Sequence, residues 1–207
     1  MEFEPNYLYD MIQAAQYRKD GDDVDWTVLE SGSRTYLLFR GSNSDTDWRN
    51  NFDFWAKVYK NQESPMLCHR GFGRAYRSCN DVVMSALIEA QERTGCAVVM
   101  CGHSFGGAMA LLAAEDFFWR TGIRADVVTF GAPRCLVGRR TLEYVRSCCG
   151  EVTQYAHRND IVPMLPPIPC YRHVRRVDVG KRTAFGIFNV KYHQIYGDGG
   201  LYAGAEE

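Results

Sequence analysis

The sequence predicts an α/β sandwich around a mostly parallel sheet, with helices on both faces. Two observations carry this. Apolar, β-rich runs ("RTYLLFR", "AVVMCG", "DVVTFG", "EVTQYAH") alternate with segments of helical spacing, the pattern of strands joined by crossover helices. The 207 residues, 46% hydrophobic and 24% charged, suit one large domain spanning 1–207, with no internal repeat or low-complexity tract to divide it.

Taken in order, residues 6–18 read as a helix, and "VDWTVLE" and "RTYLLFR" as paired strands. Residues 73–94 read as one long helix, because Ala75, Tyr76, Cys79, Val82, Val83, Ala86, Leu87 and Ala90 recur at helical spacing. Strand "AVVMCG" follows, then a helix after Gly106, strand "DVVTFG", helix "RRTLEYVRSCC" and strand "EVTQYAH". "RHVRRVDVG" reads as a further strand. The proline-rich "VPMLPPIPC" between them is a long loop inside the domain, since strand-like sequence resumes at once and the remainder is too short for a core of its own.

The join of "AVVMC" to "GGAMALLAAEDFFWR" holds Gly102-His103-Ser104-Phe105-Gly106, a G-x-S-x-G match. In a nucleophile elbow the serine sits on a tight strand-to-helix turn that lifts its hydroxyl to the top of the sheet. The N-terminal N–H groups of the following helix then face developing negative charge. The pentapeptide alone is a weak signal. Its context, a buried-looking strand before and small residues (Gly107, Ala108, Ala110) after, favours a nucleophile over an ordinary βα turn.

A serine hydroxyl needs an imidazole to take its proton and a carboxylate to orient that imidazole. On strand–turn–helix scaffolds of this kind the chain order is Ser, acid, His. Functional groups belong at the C-terminal ends of parallel strands. Glu115, Asp116 and Glu143 lie in helices, and Asp126 and Glu151 open strands. Asp160 follows the end of "EVTQYAH" and is preferred, with Asp178 the remaining alternative; the plainer reading of "ND" before "VP" is a turn. His69 and His103 precede Ser104, and His157 precedes the acid. Of the last two, His173 opens a strand-like run and reads as structural, whereas His193 lies on a late loop able to reach over the sheet edge, and is preferred.

Together these segments resemble the class 3 lipase family, the fungal and plant triacylglycerol lipase type with an α/β-hydrolase fold. "LLFRGSNSDTDWRNNF" is similar to its oxyanion segment and "CHRGFGRAY" to its His-x-Gly-Phe-x-x-Ala-Tyr element. "VVTFGAPR" resembles the strand after its elbow helix, "HRNDIVPMLPP" its acid segment and "YHQIY" its histidine segment. The resemblance runs from about residue 36 to residue 197. It implies Ser104 as nucleophile, Asp160 as acid and His193 as base, with Ser42 and the Phe105 N–H holding the oxyanion. It also implies that the histidine in "CYRHVRR", His173, is structural. "GAPRCLVGRR" departs from the family's usual Gly-Ala-Pro-Arg-Val-Gly-Asn, and the chain is shorter than most secreted fungal members.

The implied activity is cleavage of acylglycerol or related lipid esters through an acyl-enzyme, with no cofactor. The alternatives are a phospholipase A1, an aryl or feruloyl esterase, and a catalytically idle fold that binds lipid. The expected partners are a lipid or small ester and, transiently, a lipid interface. The net charge of −1 gives no reason to expect nucleic acid, and no obligate protein partner is evident. Trp48, Phe52 and Trp55 fall at i, i+4, i+7, which reads as core packing ahead of a lipid-facing lid. Arg172, Arg175, Arg176, Lys181 and Arg182 read as a solvated face, and Asp45 and Asp47 as turn residues without calcium-loop spacing. The eight cysteines include no zinc-type pair, and their even number leaves disulfides open. "MEFEPNYLYD" has no signal-peptide character, so the cytoplasm is the expected location, with secretion after signal removal as the alternative.

Overall fold

Leu37 and Phe39 pack into one apolar cluster while Tyr36 and Leu38 pack into another. Val98 and Met100 alternate with Val99 and Cys101 in the same way. Side chains two apart share a sheet face, so these strands are covered on both sides. The computed structural model describes residues 4–41, 58–60, 66–182, 190–194 and 196.

The main sheet has seven strands: β1 (Arg18–Asp20), β2 (Val24–Ser31), β3 (Arg34–Phe39), β6 (Ala97–His103), β7 (Asp126–Phe130), β9 (Val152–His157) and β11 (Arg176–Val179), adjacent in that order. β1–β2 and β2–β3 pair antiparallel, and β3, β6, β7, β9 and β11 run parallel. A smaller antiparallel sheet joins β4 (Val58–Lys60), β5 (Leu67–His69), β8 (Leu136–Val137) and β10 (Tyr171–Arg172). Strands of two or three residues are too short to show alternation, so this sheet has no sequence signature.

Helix α1 (Pro5–Ala14) covers one face of the main sheet through Leu8, Tyr9 and Ile12. On the other face lie α2 (Arg70–Arg77), α3 (Asn80–Thr94), α4 (Phe105–Thr121) and α5 (Arg139–Cys148). Helix α4 is central: Ala108 to Ala114 are all buried, between the sheet and the outer helices. Each large apolar side chain fully buried here stabilises the fold by roughly 1.5–3 kcal/mol.

Two predicted helices have different bounds. The 6–18 helix stops at Ala14, where Ala15 turns extended and the Tyr17 hydroxyl donates to the Ile12 carbonyl at 2.6 Å. The 73–94 helix is two helices. Ser78 Oγ donates to the Ala75 carbonyl (2.7 Å) and accepts the Asp22 N–H (2.7 Å), and Cys79, at φ −131°, leaves the helical region. A serine bonding back to its own turn competes with helix continuation. "RHVRRVDVG" also divides, into the end of β10 and β11. At that bend the Val174 N–H donates to Gln154 Oε1 (2.7 Å), and Gln154 Nε2 donates to His173 Nδ1 (3.1 Å). His173 Nε2–H in turn donates to the Pro163 carbonyl (2.7 Å). All eight cysteines are free thiols.

Burial, reinforced by nearby Arg176 and Arg134, pushes His173 from its ordinary 6.5 down to about 4. The folded protein therefore binds fewer protons than the unfolded chain below about pH 6.5, and stability falls as pH falls towards 4. We expect His173→Gln to flatten the pH dependence of the thermal midpoint, removing roughly 2 kcal/mol of acid sensitivity between neutral pH and about pH 4.5. Parallel pH–stability curves for parent and variant would assign that sensitivity to other groups.

Candidate active site

Ser104 stands between the end of β6 and the first residue of α4 with φ 55° and ψ −125°. A non-glycine residue in that region is strained and is held there by its surroundings. Here the Ser104 N–H donates to the Phe130 carbonyl on β7 (2.8 Å), and its own carbonyl accepts the Gly107 N–H (2.9 Å). The turn is so tight that strand and helix backbones touch. A Cβ on Gly102 would collide with the main chain of Gly106 and Gly107, and one on Gly106 with the carbonyls of Phe39 and Arg40. Glycine at both positions lets α4 start directly over the sheet edge. Phe105, the first helical residue, has an N–H without an i−4 partner within the helix, at the positive end of the helix dipole.

Asp160 lies in the loop after β9, at the C-terminal end of the parallel strands, and is 1% exposed. Its carboxylate accepts three hydrogen bonds: from the Val162 N–H to Oδ1 (2.9 Å), and from His193 Nδ1–H (2.7 Å) and the Tyr196 hydroxyl (2.8 Å) to Oδ2. The Tyr196 oxygen also accepts the His157 N–H at 2.9 Å. This fixes the proton of neutral His193 on Nδ1 and leaves the basic lone pair on Nε2. Burial and the Asp160 charge hold the Tyr196 phenol well above its ordinary range, so it remains a donor.

His193 is 4% exposed and ends a short 3₁₀ turn, Val190–His193. Its ring lies 4.7 Å, centroid to centroid, from that of His103, the residue before Ser104. Gly131, just past β7, has φ 59°, and a Cβ there would stand 2.9 Å from His193 Nδ1 and 3.0 Å from Asp160 Oδ2. The acid–base pair thus rests against bare backbone.

The other acids are engaged elsewhere. Glu115, 2% exposed, accepts from the Tyr144 hydroxyl (3.0 Å). Asp126 accepts the Glu151 N–H (2.7 Å), and Asp178 pairs with Arg176 (2.6 Å) on the exposed face. Arg175 pairs likewise with Glu151 (2.6 Å), consistent with a solvated basic face. Ser42, Asp45, Asp47, Trp48, Phe52 and Trp55 lie outside the described residues. Among the described residues no cluster of His, Cys, Asp or Glu is placed to hold a metal ion, and no helix is long and apolar enough to cross a membrane. Sequence reasoning passed over Gly131 and Tyr196 as parts of the site. Both lie in quoted motifs, "VVTFG" and "YHQIY", but only the fold shows what they touch.

The chain is similar to known lipases in sequence and in fold. The chain is 30% identical over 181 residues to a lipase of Rhizopus niveus, covering 79% of this chain and 45% of that one. It is 31% identical over 154 residues to the secreted mono- and diacylglycerol lipase A of Penicillium cyclopium, covering 71% and 48%. It thus spans less than half the length of these relatives. Among solved structures, the Rhizomucor miehei lipase propeptide complex superposes with a TM-score of 0.64 at 28% identity, over 70% of this chain and 48% of that one. A triacylglycerol lipase whose catalytic centre is formed by a serine protease triad superposes at 0.67 and 26% identity, over 73% and 60%. The fold is that of the α/β-hydrolases. Residues 36–170 match the family described as lipase (class 3), and on that match, with an elbow serine and a buried Asp–His pair at the sheet's C-terminal edge, the chain belongs to the class 3 lipases.

Proposed function

We propose that this chain hydrolyses carboxylic esters of the acylglycerol class through an acyl-enzyme on Ser104. The observation that carries the reading is a strained, positive-φ serine at a helix N-terminus, with a carboxylate-bound imidazole packed against the residue before it. Ser104 Oγ attacks the ester carbonyl carbon while His193 Nε2 takes the hydroxyl proton. Asp160 stabilises the imidazolium, and the three donors on its carboxylate hold it oriented. The Phe105 N–H and, by the family resemblance, Ser42 receive the oxyanion. Each such donor is worth about 10²–10³ in rate. Collapse expels the alcohol with the proton from His193, and a water activated by the same imidazole releases the acid. The acylglycerol class is supported by the lipase and mono- and diacylglycerol lipase relatives; a lipid surface is the matching partner.

Free thiols at all eight cysteines support a reducing compartment, whereas the Penicillium relative is named as secreted. Thiol titration of denatured protein isolated without reductant should count all eight; a smaller count would contradict the reading.

Hydrolysis of p-nitrophenyl esters of rising chain length tests the activity. Ser104→Ala should abolish both turnover and labelling by a serine-directed phosphonate while the protein stays folded. Asp160→Asn should lower kcat about 10⁴-fold, because the amide supports neither the required tautomer nor the imidazolium. Asp178→Asn, on the exposed face, should leave kcat/KM within about twofold of the parent. A near-parent rate for folded Asp160→Asn would move the acid elsewhere.

Gly131→Ala should cost at least about 10²-fold in kcat, since its methyl must displace either His193 or Asp160 and the φ of 59° is strained for alanine. Parent-like kinetics in the folded variant would show that the pair is not held against this backbone.

A further inference from the structure

His193 lies in no sheet. It ends a 3₁₀ turn of four residues, Val190–His193, so no strand ladder sets its place. Two side chains from distant segments reach the carbonyls of this segment. His103 Nε2 lies 2.7 Å from the carbonyl oxygen of His193 itself, and both residues are buried. The Tyr9 hydroxyl, from α1, donates to the next carbonyl, that of Gln194, at 3.1 Å. The two donors also pack on each other: the Tyr9 and His103 rings meet edge to face at 5.4 Å, and Tyr9 touches Phe130 and Tyr196 as well.

Resting on the hydrolase reading above, we propose that His103 and Tyr9 are positioning residues that pin two successive carbonyls of the base segment and so set His193 relative to Ser104. A single peptide link, from His103 to Ser104, joins this bond to the base with the nucleophile. His103 therefore ties the two reacting residues into one rigid unit, and Tyr9 extends the same unit to the helix on the opposite sheet face.

The chemistry of the bond is specific. A carbonyl only accepts, so His103 carries its proton on Nε2. Burial, and then the neighbouring His193, push the His103 imidazole down to about 3, so it is neutral wherever His193 works. The titratable groups facing it are His193, Asp160, Tyr9 and Tyr196. Burial pushes the Tyr9 phenol up to about 12, which keeps it a donor. A neutral His103 adds no repulsion when His193 becomes imidazolium in the transition state. A cation with its ring centroid 4.7 Å away would oppose that charge.

Three variants of the full chain test this, assayed on a soluble short-chain p-nitrophenyl ester. His103→Leu removes the donor, His103→Gln keeps an N–H near the Nε2 position, and Tyr9→Phe removes only the hydroxyl. We expect His103→Leu to lower kcat by about 10–100-fold with KM within about twofold, and His103→Gln to recover most of the loss. Tyr9→Phe should lower kcat by about 3–10-fold in folded protein whose thermal midpoint falls by no more than about 4 °C. A purely structural role predicts the reverse: reduced thermal midpoints, with folded protein at parent kcat. Equal kcat for folded His103→Gln and His103→Leu overturns the proposal, as does parent kcat in Tyr9→Phe.

A second measurement depends on neither activity nor variant folding. Proton–nitrogen NMR of the parent's histidine rings between pH 5 and 8 should show His103 as a non-titrating Nε2–H tautomer. An Nδ1–H tautomer, or titration near 6.5, overturns the proposal even if every kinetic arm behaves. Absence of ester hydrolysis by the parent would instead sink the hydrolase reading, and the NMR result would then decide the positioning bond alone.

Discussion

Everything in the site depends on one steric constraint: the backbone of β6 must turn through a left-handed residue and start α4 in contact with the sheet. Ser104 takes the strained conformation, and Gly102 and Gly106 remove the side chains that would block it. Once that contact is made, three consequences follow without further design. The hydroxyl stands at the C-terminal edge of the parallel strands. The positive end of a 17-residue helix starts at the residue after Ser104. His103, one residue earlier, is forced inward against the segment that carries His193.

The second organising feature is a buried polar network with little room for error. Asp160 accepts from Val162, His193 and Tyr196, and Tyr196 in turn accepts from the backbone of His157. A carboxylate so deeply buried is tolerable only because its lone pairs are occupied. The groups around it are polar but mostly uncharged. His103 is driven neutral by burial, and the Tyr196 phenol keeps its proton. The Asp160 carboxylate is therefore placed to answer the positive charge that proton transfer from Ser104 would create on His193. His173 adds a further layer, holding the Pro163 carbonyl and with it the loop behind the acid.

Much of this was legible in the sequence because it rests on local pattern. Alternation of "RTYLLFR" and "AVVMCG" with helical spacing announces the parallel sheet, and the glycines around Ser104 announce the elbow. The placement of Asp160 after a strand end excluded acids that the structure shows engaged elsewhere, Glu115 with Tyr144 and Asp126 with the Glu151 N–H. The break at Ser78–Cys79 was not legible, because the Ser78 hydroxyl that bonds back to Ala75 is also fixed by the Asp22 N–H, 56 residues away. Nor was the small sheet of β4, β5, β8 and β10, whose strands are shorter than one alternation can reveal.

The sequence by itself determined the fold class, the strained serine and the candidates for its partners, since hydrophobic period, glycine spacing and strand-end position are all read along the chain. Only the tertiary structure decided which imidazole meets which carboxylate, and what holds them. His193 to Asp160 spans 33 residues, His193 to His103 spans 90, and Tyr9 to Gln194 spans 185. Contacts at such separations carry no periodic trace. They arise when parallel strands bring their C-terminal ends to one edge and the buried polar groups gathered there must satisfy one another.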